Sequence, residues 1–317
     1  MYLKKKISFF KNLLSKSNKI IWAKDVSKNF DKLKKKKKII LILTIGRSGS
    51  RWLFNIFKSH KNEFDGGVER DVIYESFYHF NSYNKLNVDQ KTFFLNLKNR
   101  IINDWSKVQT SVICSPYYVF GLDDILKEIK PDKIILCLND PIFTANSFYN
   151  KNFYLEKFYH SKKFDILGLQ PSYYNNLSHF FGRIVPKGNN FLKWNKLNRF
   201  GKIGWYMNET MYSLYKSLKK VNKNIYIFNL LDCDQNYNFY LSLRKMFNIK
   251  KKLTEKNFLE LKQKFAATQF SKDLTFDNLD QSNWKKIDKS QFLKQTKFYR
   301  NFFNKTNQFL KKAKKII

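Results

Sequence analysis

Two uninterrupted apolar runs stand out along the chain, "IILILTI" at residues 39–45 and "KIILCL" at Lys133 to Leu138. Neither alternates with polar residues, so both predict strands buried on two faces, as in a parallel sheet. The first run passes through Gly46-Arg47-Ser48-Gly49-Ser50 into a helix predicted from about Ser50, with Trp52, Leu53, Ile56 and Phe57 at helical spacing. Next, "NEFDGGVERDVIYESFYHF" has a strand-like start, two glycines, and then Glu69, Arg70 and Asp71 leading into a helix-like aromatic segment. "SVICSPYYVFGLDDILKEIKPDKIILCLNDPIFTANSFYN" repeats strand, turn and helix before the second buried run. Such alternation predicts an α/β fold, a three-layer parallel sheet with flanking helices and right-handed crossovers. Ligands of such sheets bind beyond the carboxyl ends of the strands, where the loops at Gly46 and at Asn139-Asp140-Pro141 would both lie.

The loop after the first run carries the chemistry. A strand that turns into a helix there leaves several backbone N–H groups unpaired at the helix N-terminus, which makes an anion site. Gly46 and Gly49 allow positive φ and close approach of a ligand, Ser48 and Ser50 add hydroxyls, and Arg47 and Arg51 add cations that fork onto phosphate or sulfate oxygens. An ordinary turn, with glycines for geometry alone, is the plainer alternative. The loop is not a Walker sequence: Gly46 and Gly49 are three residues apart, and Ser50 stands where the lysine belongs. Nor is it a dinucleotide fingerprint, which requires a third glycine in the helix.

The remainder of the chain sets bounds. No Pro/Gly/Ser-rich linker or internal repeat divides the 317 residues, so a basic, helical N-terminal extension over 1–38 and a single domain over 39–317 are expected. The net charge of +36 predicts attraction to nucleic acid, acidic membrane or anionic substrate. The excess is mostly lysine and accompanies abundant Asn, Ile, Phe and Tyr, which an A+T-rich coding bias would also produce. The cysteines Cys114, Cys137 and Cys233 are odd in number, and two lie in apolar runs, which fits free thiols in a reducing, cytoplasmic compartment. His60, His79, His160 and His179 are scattered, and no metal spacing exists. No apolar run approaches a membrane span. Ile7, Phe10, Leu13 or Leu14, and Ile21 recur at helix-like intervals among lysines, the pattern of a surface helix or of one lying on an acidic membrane.

With these residues in view, the chain resembles sulfotransferases that use 3′-phosphoadenosine 5′-phosphosulfate (PAPS), especially their bacterial and Golgi-type branches. "TIGRSGSRWL" resembles that family's 5′-phosphosulfate loop, and "KIILCLNDPIFTANSFYN" resembles its second motif, with Pro141 and Ser147 at the family's spacing. "NIYIFNLLDC" and "LRKMFNI" resemble a later strand and short helix, and "SNWKKIDKS" is a weaker echo; the similarity spans roughly residues 39 to 250. The resemblance implies a P-loop-like fold and a donor, PAPS, whose 5′ end would be held by Gly46, Arg47, Ser48, Gly49, Ser50, Arg51 and the amide of Trp52. It also implies that Asn139, where the family has an arginine, and Ser147 face the 3′-phosphate, with Trp284 and Lys285 closing over it and Arg244 as a further cation. The Glu-Asp pair of the later strand is replaced by Leu230, Leu231 and Asp232.

In that chemistry a sulfuryl group moves in line to an acceptor hydroxyl while cations and amides stabilise the leaving oxygen, a role for Arg47 and the loop amides that needs no metal. The acceptor requires a base near the loop: Glu69 first, His79 second. Each has a structural alternative, a helix-terminal charge for Glu69 and a packed imidazole for His79. The aromatic-rich stretch over 151–206 is the expected acceptor and lid region, suited to a carbohydrate, and 251–317 reads as a C-terminal helical segment. Two other classes stay open: a basic nucleic-acid- or polyanion-binding protein with an inactive anion loop, and a P-loop phosphotransferase.

Overall fold

The computed structural model describes residues 22–86, 88–154, 181–222, 224–230, 237–265, 284–311 and 313–316. Its centre is a six-stranded sheet: β1 (Lys38–Leu43), β2 (Phe64–Val68), β3 (Thr110–Ser115), β4 (Lys133–Leu138), β5 (Ile225–Asn229) and β6 (Ala313–Lys315). The order is β2-β3-β1-β4-β5-β6, and every pairing is parallel. The fold is therefore α/β, with helices on both faces.

Unbroken apolar runs suit β1 and β4 because both faces of these central strands are covered. One face buries Ile39, Leu41 and Leu43 of β1 with Ile134, Leu136 and Leu138 of β4, under α1 (Trp22–Lys34), α3 (Val72–Asn84), α4 (Lys91–Trp105), α5 (Leu122–Ile129), α6 (Pro141–Asn150) and α8 (Arg199–Lys219). The opposite face buries Ile40, Ile42, Ile135 and Cys137 under α2 (Ser50–Lys58), α9 (Tyr237–Phe247) and α10 (Glu255–Phe265). Trp52 of α2 is the anchor of this second layer, stacked on Phe228 at 5.8 Å and on Phe239 at 5.5 Å.

Within 1–38, the described helix α1 lies along α4, where Phe30 stacks on Trp105 at 5.2 Å, and Lys34 meets Asp132 at 2.7 Å. The positions Ile7, Phe10, Leu13, Leu14 and Ile21 fall outside the described residues, as do His160, His179, Leu231, Asp232 and Cys233. Within 151–206, α7 (Asn189–Asn195) and the start of α8 are described, and 155–180 lie outside. The C-terminal segment departs from the all-helical expectation. After α10, α11 (Lys286–Gln295), α12 (Lys297–Asn304) and α13 (Thr306–Phe309), it adds β6 beside β5. Three residues, two of them lysines, carry too little periodicity to announce a strand, and lysine is typical of a sheet edge.

Strand order creates one crevice. From β1 the chain moves to β2 on one side, and from β4 it moves to β5 on the other, so the loops leaving these neighbouring strands diverge. That switch point is where open parallel sheets bind ligands.

Candidate active site

The loop from β1 to α2 is bent by Gly46, Arg47 and Gly49, with φ of 96°, 59° and 77°. Thr44, fully buried at the end of the apolar run, holds the bend from below. Its hydroxyl accepts the N–H of Gly46 at 2.8 Å and shares a proton with Ser48 Oγ at 2.6 Å. The first intrahelical bond runs from Leu53 N–H to Gly49 O, and the N–H groups of residues 47–52 make no hydrogen bond among the described residues. Left-handed turns leading into a helix N-terminus thus leave six consecutive backbone donors without an acceptor among the described residues, which suits an anion. A side chain at Gly49 would also strike Leu230, whose Cδ1 lies 2.6 Å from the Cβ position.

The adjacent loop, from β4 to α6, meets this one directly. Arg47 Nε donates to Ser147 Oγ at 2.6 Å, and Asn139 Nδ2 donates to Arg47 O at 3.3 Å. Arg47 opens to solvent while its Nε end is tucked against α6. That partial desolvation, and then repulsion from Arg51, lowers its pKa, with Glu69 acting in the opposite direction. Glu69 itself ends β2 in a left-handed conformation, φ 48°, with its N–H on Cys114 O at 2.9 Å. The two arginines of the loop and this carboxylate therefore share one electrostatic neighbourhood.

Several expected roles are altered. Ser48 is buried and its hydroxyl faces Thr44, so only its amide is left for a ligand. Trp52 offers only its N–H, because the ring is core. Ser50 turns toward Cys114, and Arg51 stays exposed. Asn139 has no exposed surface. Its Oδ1 accepts Asp140 N–H at 2.9 Å, its Nδ2 braces Arg47, and its carbonyl accepts the Tyr299 hydroxyl at 2.9 Å. Both polar atoms of its side chain are thus engaged within the chain, beneath the loop. His79 is likewise corrected: it has no exposed surface, its Nδ1 lies 3.3 Å from Tyr117 O, and burial pushes its pKa down to about 3. A neutral imidazole sealed among Tyr117 and Phe120 is not a base open to substrate.

Trp284 is brought to the site from far along the chain. Its Nε1 donates to Asn146 Oδ1 at 2.8 Å, one residue before Ser147, and its ring lies 3.7 Å from Phe200, which in turn stacks on Tyr149 at 4.5 Å. Lys285 follows, exposed, with its backbone N–H on Asp288 Oδ2 at 3.3 Å. Arg244 is elsewhere, its Nη2 on Lys250 O at 3.0 Å. His60 is buried beyond the end of α2 and stacks on Tyr240 at 6.1 Å. On the far wall, Arg183 lies over Phe153 at 5.1 Å beside Tyr117, Tyr154 and Tyr206.

Sequence reading missed Thr44, Asn146, Asp140 and Tyr299. For Asp140 a signal existed: Asp followed by Pro is a helix start, and its Oδ1 caps α6 by accepting the N–H groups of Ile142 at 2.8 Å and Phe143 at 3.1 Å. The chain matches no known protein-family model and no curated protein. Among the described residues no helix is long and apolar enough to cross a membrane.

Proposed function

We propose that the chain is a P-loop-like sulfotransferase that moves a sulfuryl group from PAPS to a hydroxyl, with a carbohydrate as the acceptor class. The observation that carries this reading is the run of six unpaired N–H groups flanked by Arg47 and Arg51 at the sheet's switch point. A lysine-free loop argues against nucleotide-driven phosphoryl transfer.

In this reading the donor's 5′ end lies against the N–H groups of residues 47–52. When bound there, the phosphosulfate supplies the sulfuryl group: the acceptor oxygen bonds to sulfur as the bond from sulfur to the bridging phosphate oxygen breaks. Residues 47–52 present amides toward the charge that develops on that oxygen, and Arg47, already held by Ser147, adds a preorganised guanidinium. Glu69 is the base in this reading, supported by its sharing the electrostatic neighbourhood of Arg47. For the donor's 3′-phosphate, Asn139 does not fit because its side chain is engaged internally; Ser147, Trp284 and Lys285 are the residues that remain. Cys114 and Cys137, both buried free thiols, support a cytoplasmic setting, and the surplus of lysines supports contact with an acidic membrane surface.

Asn139 favours a second reading, a polyanion-binding protein that retains the loop without PAPS chemistry. Calorimetric titration with 3′-phosphoadenosine 5′-phosphate beside 5′-AMP and ATP with Mg²⁺ separates the two. Selective binding of the bisphosphate supports the transferase. Preference for ATP, or no nucleotide binding together with salt-sensitive binding of nucleic acid, would overturn it.

A further inference from the structure

A buried carboxyl lies behind the anion loop, and the chemistry proposed above does not use it. Glu75 of α3 is only 4 % exposed. Its Oε1 accepts the Tyr118 hydroxyl at 3.2 Å, Ser115 stands beside it, and its Oε2 makes no hydrogen bond among the described residues. The nearby guanidiniums are engaged elsewhere, Arg100 with Asp71 at 2.5 Å and Arg70 with Asp104 at 2.7 Å. The other titratable groups around it come from each neighbouring element. Tyr118 follows β3, and burial together with Glu75 holds its hydroxyl neutral. Cys114 of β3 is a buried thiol pushed up to about 12, itself within reach of Glu69, Ser50 and Arg51. A carboxyl buried among such groups, with no counterion of its own, is pushed up to about 7.

The residues that touch Glu75 also support the loop. Ser115 pairs in register with Leu43, the last residue of β1, and its Oγ accepts the N–H of Tyr117 at 3.1 Å. Pro116, next in the chain, has its Cβ 4.0 Å from where a side chain at Gly46 would begin. Tyr117 is held from the other side by His79, whose low pKa keeps it silent near neutrality. Ionised Glu75 would place a negative charge behind the donors of residues 47–52, and its Oε2 would lack the donor a carboxylate oxygen needs, loading the turn that backs Gly46.

We propose that Glu75 is a positioning residue whose proton controls how tightly residues 46–52 hold an anion, with strong binding in the neutral form and weak binding in the ionised one. This rests on the reading of that loop as an anion site. The test is calorimetric titration of the full chain with inorganic sulfate, a dianion throughout, at steps from about pH 5.5 to about pH 8.5. The wild type should lose roughly fivefold or more in affinity across neutrality. Glu75→Gln should hold the low-pH affinity throughout. Tyr118→Phe, which removes a hydrogen bond favouring the ionised form, should move the midpoint to higher pH and serves also if Glu75→Gln fails to fold. Sulfate binding that does not vary with pH, or a fall that persists in Glu75→Gln with an unmoved midpoint in Tyr118→Phe, would overturn the control by Glu75 and leave the anion site standing. Absence of sulfate binding at every pH would overturn both.

Discussion

Two strand-to-helix loops meet at the switch point, and they do opposite things. The loop after β1 folds its serine hydroxyls inward but keeps its backbone donors and both guanidiniums available: among the described residues the N–H groups of 47–52 make no hydrogen bond. The loop after β4 turns its polar groups inward, with Asn139 and Asp140 hydrogen-bonded to the chain itself. Equivalent places in a sheet thus become a site or a support according to whether the local side chains satisfy the backbone. At the first loop positive-φ residues and the absence of a side-chain cap leave the donors open, whereas at the second an aspartate closes them.

The sharpest way to break this contrast is Arg47→Ala. Sulfuryl transfer should fall by about 10²-fold or more, on the scale of losing one donor to a developing oxyanion, with little change in thermal stability. A retained rate would move Arg47 out of the machinery. Glu69→Gln comes next, lowering turnover by roughly 10²-fold if it accepts the acceptor's proton; a change confined to acceptor KM would instead make it a binding group. On the inward side, Asn139→Ala leaves Asp140 N–H and Arg47 O without their partner. Urea unfolding should show a loss of about 1–3 kcal/mol, with weaker sulfate binding as Arg47 loosens. Asp140→Ala should give the smallest effect, about 1 kcal/mol from the lost helix cap, with anion affinity preserved. If Asp140→Ala abolished binding, the loop after β4 would be part of the site and no longer its support.

Much of the scaffold was legible because burial on two faces writes itself as an unbroken apolar run. The runs at 39–45 and 133–138 announced β1 and β4, the first running two residues past the strand's end at Leu43, and the Trp52, Leu53, Ile56 and Phe57 spacing announced α2. The turn after β1 was legible as well, because Gly46 and Gly49 mark its positive-φ positions. Direction was not legible. Nothing local says that Ser48 looks down at Thr44, that Asn139 braces Arg47, or that the Trp52 ring belongs to the core, since each depends on partners brought in by the sheet. Glu75 was hidden for a related reason: a carboxylate in a helical segment reads as surface until β3 and Tyr118 are seen to cover it.

Arg47 and Glu69, the two charged residues at the centre of the proposed chemistry, both occupy left-handed backbone, φ 59° and 48°. Glycine at either position would relieve strain on the order of 1 kcal/mol. A laboratory selection for heat resistance alone should therefore discard both charges early, producing a sturdier protein that keeps the loop's amides and loses its proposed guanidinium clamp and base. Variants that gain thermal tolerance while keeping Arg47 and Glu69 would have to find their improvement in the helical layers, away from the mouth of the sheet.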